Sequence, residues 1–292
     1  MESGPSQRLV AALRRASPES PKTLEVFDRI AGAECPRPDF LEWSARIGEA
    51  LQTERLTYYF DAEKHSADEL ANVGDRFVAL AAALDMKVPP TLATTYAALV
   101  PRAETLLQAV LGIDAAAPMR VKLYLIMRGP APDLVDGMLA AVGAVRPSSL
   151  DAARVYILGL DFGAEGLADA KLYYRLDVAR LPRVVANLGE VREVYEATRE
   201  VVLQRCLLAD RSQIYLHADN DSAITKYLAR SDATRQLITH ARSVNVELAP
   251  QRIAPWIISF AFRDHRLVLD TSNVYFHLVD TPRPAEYDRG GV

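Results

Sequence analysis

The sequence predicts an α+β protein, a closed antiparallel β-barrel with a solvent-filled lumen ringed by α-helices. Three observations lead there. Strand-forming segments come mostly in neighbouring pairs joined by short turns, which implies hairpins and antiparallel pairing. Helical segments fall between the pairs, whereas a doubly wound parallel sheet alternates strand and helix singly. Several strands also carry a long polar donor and a tyrosine two residues apart, with apolar residues on the opposite parity. Residues i and i+2 of a strand share a face. The apolar faces need a cover of helices. An antiparallel sheet of this length ends in exposed edges unless it closes on itself. Closure makes the polar faces a lumen lining; without it they meet water.

The elements follow from local pattern. Segments 6–16 and 22–33 read as helices with prolines between them, and strands are expected at 39–47 and 53–60 across a short polar turn. In 66–86, Leu70, Val73, Phe77, Leu80, Ala81 and Leu84 recur at three- and four-residue spacings, the period of a helix with one apolar side. Ser66 and Glu69 make a capping-box signature at its start. A second helix is expected over 91–111, bent at Pro101, where the ring removes a backbone donor. A strand at 119–127 and a helix at 131–143 come next. Strands 154–162 and 169–177 flank a turn at 163–166, and a long helix is expected over 180–207, broken near Gly189. Strand 211–217 precedes helices at 220–229 and 231–243, and the chain finishes with strands at 255–262, 266–270 and 273–278. No linker rich in Pro, Gly or Ser divides the chain, so residues 1–292 are expected to form one domain, with N-terminal helices within 1–35 and a loose tail at 283–292.

Composition removes several function classes. The chain has 292 residues, half of them apolar, which is enough for a sizeable core. Its net charge is −4 with both signs dispersed, so no nucleic-acid partner is expected. Only Cys35 and Cys206 are present, which suggests no disulfide framework and a cytoplasmic location. No signal-peptide core opens the chain, and no apolar run is long enough to span a membrane. A Walker loop, a G-x-G-x-x-G turn and a G-x-S-x-G elbow are absent. The five histidines lack metal-ligand spacing, so no metal site is expected. Asp219 and Asp221 read as turn residues.

The polar faces carry the chemistry. They are Lys122-Leu123-Tyr124, Lys171-Leu172-Tyr173 and Gln213-Ile214-Tyr215, with Arg55-Leu56-Thr57-Tyr58 upstream. Any one of them is an ordinary half-exposed strand face. Their weight comes from recurrence: three strands, separated by helices, repeat one donor–aromatic order.

That order resembles the aromatic prenyltransferases of the ABBA (αββα) barrel fold, in particular the dimethylallyltryptophan-synthase type. There, Lys-x-Tyr, Lys-x-Tyr and Gln-x-Tyr strands line the lumen in this chain order. Phe40-Leu41-Glu42-Trp43-Ser44 followed by Arg55 resembles the family's early Phe-Glu-x-Ser strand and its arginine. Leu158-Gly159-Leu160-Asp161-Phe162 and Ile258-Ser259-Phe260 resemble its later hairpins. The resemblance implies that Arg55, Lys122, Lys171 and Gln213 hold a prenyl diphosphate, joined by Arg263 or Arg266 from the last hairpin. It implies that Tyr124, Tyr173, Tyr215 and Tyr275 cap the diphosphate and shield an allyl cation, and that Glu42 accepts the ring proton. Trp43, beside Glu42, and His217, on the Gln213–Tyr215 face, are expected to contact the acceptor, with His277 as a second candidate. The chain departs from the family pattern at Asp169, where an arginine is usual, while Arg120, Arg175 and Arg211 flank the motifs.

The implied reaction is a Friedel–Crafts-type transfer of dimethylallyl, or a longer prenyl group, to an indole, a tryptophan derivative or another electron-rich aromatic, with a peptide acceptor also open. No cofactor is required; magnesium would stimulate, if at all, without protein ligands. Two other readings stand beside it. One is a non-catalytic barrel that binds an isoprenoid or aromatic ligand. The other is a structural protein whose polar faces meet solvent.

Overall fold

The computed structural model describes residues 5–16, 22–33 and 36–279. The expected tail at 283–292 and Cys35 lie outside the described residues. Helices and hairpins alternate. Helices α1 (Pro5–Ala16) and α2 (Thr23–Ala31) precede strands β1 (Phe40–Ile47) and β2 (Gln52–Asp61). Next come α3 (Ala67–Ala83), α4 (Pro90–Leu99), β3 (Leu106–Asp114) and β4 (Arg120–Met127). Helix α5 (Pro132–Ala141) leads into β5 (Ile157–Gly163) and β6 (Gly166–Leu176). Two short helices, α6 (Leu181–Val184) and α7 (Arg192–Glu196), precede β7 (Thr198–Cys206) and β8 (Ser212–Ala218). The series ends with α8 (Asp221–Leu228), α9 (Asp232–Leu248), β9 (Ile253–Arg263) and β10 (Arg266–Leu278).

Each strand pairs antiparallel with its neighbours in sequence, and β1 pairs with β10, so the ten strands close into a barrel. Closure removes every edge. Leu56, Val121, Leu123, Leu160, Leu172, Ile214 and Ile258, which point outward, are each at most 1% exposed. Burying each large aliphatic chain contributes about 1.5–3 kcal/mol. Helix α3 lies against β3 and β4, α8 against β8 and β9, and α9 against β1 and β9. The expected capping box is present: the Ser66 hydroxyl accepts from the Glu69 amide, while the Glu69 carboxylate accepts from the Ser66 amide. No helix among the described residues is long and apolar enough to cross a membrane.

Two strands replace expected helices. Residues 106–111 were expected at the end of a helix; they begin β3. Every residue of β3 is buried, because both the lumen and the helical layer cover it. A strand buried on both faces loses its period-two alternation and reads like a helix by composition. The helix expected over 180–207 is likewise replaced by α6, α7 and β7, the last carrying Thr198, Val201 and Val202, whose branched β-carbons favour strand. The two strands expected at 266–270 and 273–278 are one: β10 bulges between Val268 and Ser272, where it loses register with β9.

Candidate functional site

Alternation along the strands decides what enters the lumen. On β4, Lys122, Tyr124 and Ile126 point inward; on β8, Gln213, Tyr215 and His217 do so; on β1, Glu42, Ser44 and Arg46. These groups, with Arg55, Lys171, Tyr173 and Tyr275, line one cavity of about 160 Å³. The cavity is therefore built by the same residues that the donor–tyrosine spacing singled out.

Its mouth is cationic. Arg46, Arg55, Arg120, Lys122, Lys171 and Arg211 all line it. Two carboxylates bridge these charges. Asp114 Oδ2 lies 3.3 Å from Arg55 Nε and 3.6 Å from Lys122 Nζ. Asp161 is paired with Lys171 and lies 3.8 Å from Arg120 Nη1. Arg55 Nη1 also donates to Asn273 Oδ1 at 2.8 Å. Arg211, two before Gln213, pairs at 2.9 Å with Asp169, so the departure at Asp169 is matched by a neighbouring cation. An ammonium carries three N–H donors and a guanidinium five, and these pairings use a minority of them. The remainder can meet an anionic ligand.

Beneath the charges runs a ring of tyrosines. Tyr124 contacts Tyr173 with centroids 6.3 Å apart, Tyr173 contacts Tyr215 at 5.7 Å, and Tyr215 contacts Tyr275 at 5.8 Å. Gly159 makes room for this ring: a Cβ there would stand 2.5 Å from Tyr124 Cε1. The Tyr215 hydroxyl is 2.7 Å from Gln204 Oε1 and 3.1 Å from Gln213 Oε1, which ties Gln213 into the ring.

The floor is apolar around one acid. Phe40, Val110, Ile126, Val202, Trp256 and Ile257 form a cluster inside the barrel, separate from the outer core. Glu42 is 4% exposed among them. Burial pushes its carboxyl up to about 8, against the Tyr59 hydroxyl and the charges of Arg55 and Lys122. Burial, with repulsion from Arg55, pushes Lys122 down to about 7. Burial favours neutral Asp161, but the Lys171 and Lys122 charges outweigh it and hold that carboxyl below its ordinary range. His217 is pushed down to about 3 by burial and by Arg199 and Arg175, so it stays neutral.

Two expected site residues lie elsewhere. Trp43 is on the outward parity of β1: its indole packs on Phe276 and His240, and its Nε1 donates to the Thr53 carbonyl at 2.6 Å. The expected acceptor contact is corrected accordingly; only the even-numbered partners of Glu42 on β1 reach the lumen. Arg263 stands exposed at the tip of the last hairpin, opposite Arg266, and does not line the cavity. Conversely, Asp114 and Gln204 carried no sequence signal: Asp114 lies in the 112–118 stretch given no element, just past the expected helix, and Gln204 lies in the segment expected as the 180–207 helix. Trp256 was hidden by a bulge: Tyr275 pairs with Ile257 and Phe276 with Pro255, leaving Trp256 as the extra residue. Such a bulge re-aims a side chain, and both Trp256 and Ile257 join the inner cluster. Among the described residues, no group of three or more His, Cys, Asp or Glu could hold a metal.

The sequence matches no protein-family model and no curated protein. Solved structures do resemble the fold. A 5-dimethylallyl tryptophan synthase from Streptomyces coelicolor, in complex with DMASPP and Trp, superposes with a TM-score of 0.59 over 95% of each chain at 15% identity. A 6-dimethylallyltryptophan synthase from Micromonospora olivasterospora, also with DMASPP and Trp, gives 0.59 over 95% of this chain and 97% of that one at 16% identity. The prenyltransferase PriB, with L-tryptophan and dimethylallyl thiolodiphosphate, gives 0.60 over 93% and 94% at 13% identity. This chain has the ABBA-type barrel fold of the dimethylallyltryptophan synthases.

Proposed function

We propose that this protein is an aromatic prenyltransferase that moves a prenyl group, most simply dimethylallyl, from its diphosphate to an indole, a tryptophan derivative or another electron-rich ring. The observation that carries this reading is the vertical order of the lumen: cations at the mouth, a tyrosine ring below, and a buried carboxyl against an apolar floor. Each layer suits one stage of the reaction. Fixed cationic donors stabilise charge that develops on a departing diphosphate. Lys122, Lys171 and Arg55 supply them from rigid strands, with Arg46, Arg120 and Arg211 around them. Desolvated tyrosine faces favour an adjacent cation by about 0.5–2 kcal/mol each. They also keep water from the allyl cation.

The bookkeeping of the step is simple. The allylic C–O bond breaks and its electron pair leaves with the diphosphate. A ring carbon of the acceptor forms the new C–C bond, and the ring proton passes to the Glu42 carboxylate. Glu42 must ionise first, because burial keeps it neutral near pH 7. A carboxyl inside the lumen also separates this reading from that of a barrel that only binds its ligand. The proposed partners are a prenyl diphosphate and a small aromatic acceptor. No protein-held metal is invoked.

The test is calorimetry with dimethylallyl thiolodiphosphate, an unreactive donor analogue. Wild type is expected to bind it, and Lys122→Ala/Lys171→Ala to bind it at least about 100-fold more weakly, since each charge-assisted hydrogen bond contributes about 1.5–3 kcal/mol. Unchanged affinity in the double variant would remove the two lysines from the donor site. Mass spectrometry of products from an aromatic panel then reads the transfer itself.

A further inference from the structure

The cations at the mouth of the cavity are unevenly balanced. Arg55, Arg120, Lys122, Lys171 and Arg211 each have a carboxylate within 3.8 Å. Arg46 also lines the cavity and has none among the described residues. Its Nε donates instead to Asn273 Oδ1 at 3.3 Å. Arg55 Nη1 donates to the same oxygen at 2.8 Å. Two guanidinia therefore converge on one neutral carbonyl, with Asn273 4% and Arg55 8% exposed. Arg55 Nε is buried and makes no hydrogen bond. Burial and the neighbouring Arg55 charge push the Arg46 guanidinium below its ordinary value. The amide is held the right way round: Asn273 Nδ2 donates at 3.0 Å to the fully buried Ser259 Oγ. A flipped amide would set its NH₂ against both guanidinia. Asn273 pairs in register with Arg46 on β1, one pair outward of Ser44 and Tyr275, so this cluster stands just above the tyrosine ring.

Aspartate is the near-isostere that would neutralise both guanidinia from within the protein. A neutral amide fixes their spacing and leaves their charge to be met from outside. We infer that Arg46 and Arg55, held together on Asn273 Oδ1, form a guanidinium clamp for a diphosphate group, and that Asn273 is the positioning residue that sets the clamp. A guanidinium carries five N–H donors, and among the described residues each of these two makes one hydrogen bond. The planar fork of the remaining donors matches phosphate oxygens. The inference rests on the reading of this mouth as the diphosphate end of a prenyl-donor site, and it adds Arg46 and Asn273 to that end with distinct roles.

The probe is inorganic pyrophosphate, measured by calorimetry on wild type, Arg46→Met and Asn273→Asp. Melting temperatures of the ligand-free proteins are read alongside. Asn273→Asp keeps the shape of the side chain and an acceptor for both guanidinia, and the Ser259 hydroxyl can turn to donate to it. Wild type is expected to bind pyrophosphate, and each variant to bind it at least about tenfold more weakly, the span of one lost charge-assisted hydrogen bond. Ligand-free Asn273→Asp should nevertheless melt no lower than wild type, because the new carboxylate supplies the counter-charge that Arg46 lacks. A residue with a merely structural role would move affinity and melting temperature down together.

Failure of wild type to bind pyrophosphate would overturn the inference. So would a loss smaller than about tenfold in either variant, or an Asn273→Asp protein that melts below wild type. The donor reading fails in a different way: wild type that binds pyrophosphate through this clamp but not dimethylallyl thiolodiphosphate would keep the clamp and remove the prenyl donor.

Discussion

The inner and outer faces of the barrel are made from alternate residues of the same ten strands, and their chemistry is opposite. The outer face is apolar, buried and indifferent to pH: Leu123, Leu172 and Ile214 meet helices and nothing else is asked of them. The inner face concentrates arginines, lysines, carboxylates and tyrosines around one cavity inside the barrel. Burial without full compensation destabilises charge. Glu42 and Lys122 show it, one pushed up toward neutrality and the other down. The lesson is a division of labour at two-residue spacing. One parity stabilises the barrel, and that stability is what holds the other parity in an unfavourable arrangement with reactive potential.

The sharpest way to break this division is Glu42→Gln. It should lower prenyl transfer about 10²–10⁴-fold, the usual span for a lost general base, while the donor analogue still binds. In wild type, turnover should rise with pH toward a limb near 8, as Glu42 ionises, and that limb should vanish in the variant. A variant that prenylates at the wild-type rate would exclude Glu42 as the proton acceptor.

A core substitution on the opposite parity should act in the other currency. Leu172→Ala lies between Lys171 and Tyr173 but faces the helices. Denaturant melts should show a loss of about 2–5 kcal/mol, with the KM for donor unchanged in the folded fraction. A large rise in KM with little loss of stability would mean that the two faces are not separable.

Smaller effects test whether the lumen is destabilising in itself. The Glu42 carboxyl rises from an ordinary 4.5 to about 8, so its contribution to stability is intact below about 4.5 and is lost as pH climbs through 8. Lys122 falls from an ordinary 10.5 to about 7, so its contribution is intact above 10.5 and is lost as pH drops through 7. Melting temperatures should therefore rise in Glu42→Gln more at pH 9 than at pH 5, and in Lys122→Met more at pH 5 than at pH 9. Parallel gains at both pH values would contradict the assignment of these penalties to charge burial.

The smallest expected effect belongs to Trp43→Phe. It removes the hydrogen bond to the Thr53 carbonyl and should cost about 1 kcal/mol in stability. Steady-state kinetics with an aromatic acceptor should not move, since Trp43 is outside the lumen. A change in acceptor KM would return Trp43 to the binding site.

How much of this was written in local sequence depends on the parity of each residue. Lys122-x-Tyr124, Lys171-x-Tyr173 and Gln213-x-Tyr215 announced themselves because strand geometry converts spacing two into one face, whatever the fold around it. The pairing of hairpins and the helices between them were legible for the same local reason, and closure followed from the cost of bare edges. Other features depend on partners remote in sequence. Strands β3 and β7 became strands because the barrel needs a neighbour between β2 and β4 and between β6 and β8. Their own composition did not distinguish strand from helix. Asp114 and Gln204 entered the lumen with them. Trp43 and Trp256 exchanged their expected places for a related reason. A residue beside Glu42 points away from it by alternation, and a bulge that no local pattern marks turned a distant indole into the inner cluster. Local spacing thus determined which polar groups travel together, because backbone geometry is the same everywhere. Only the tertiary structure decided which of them meet across the lumen, because register, bulges and burial are set by pairing between strands far apart in the chain.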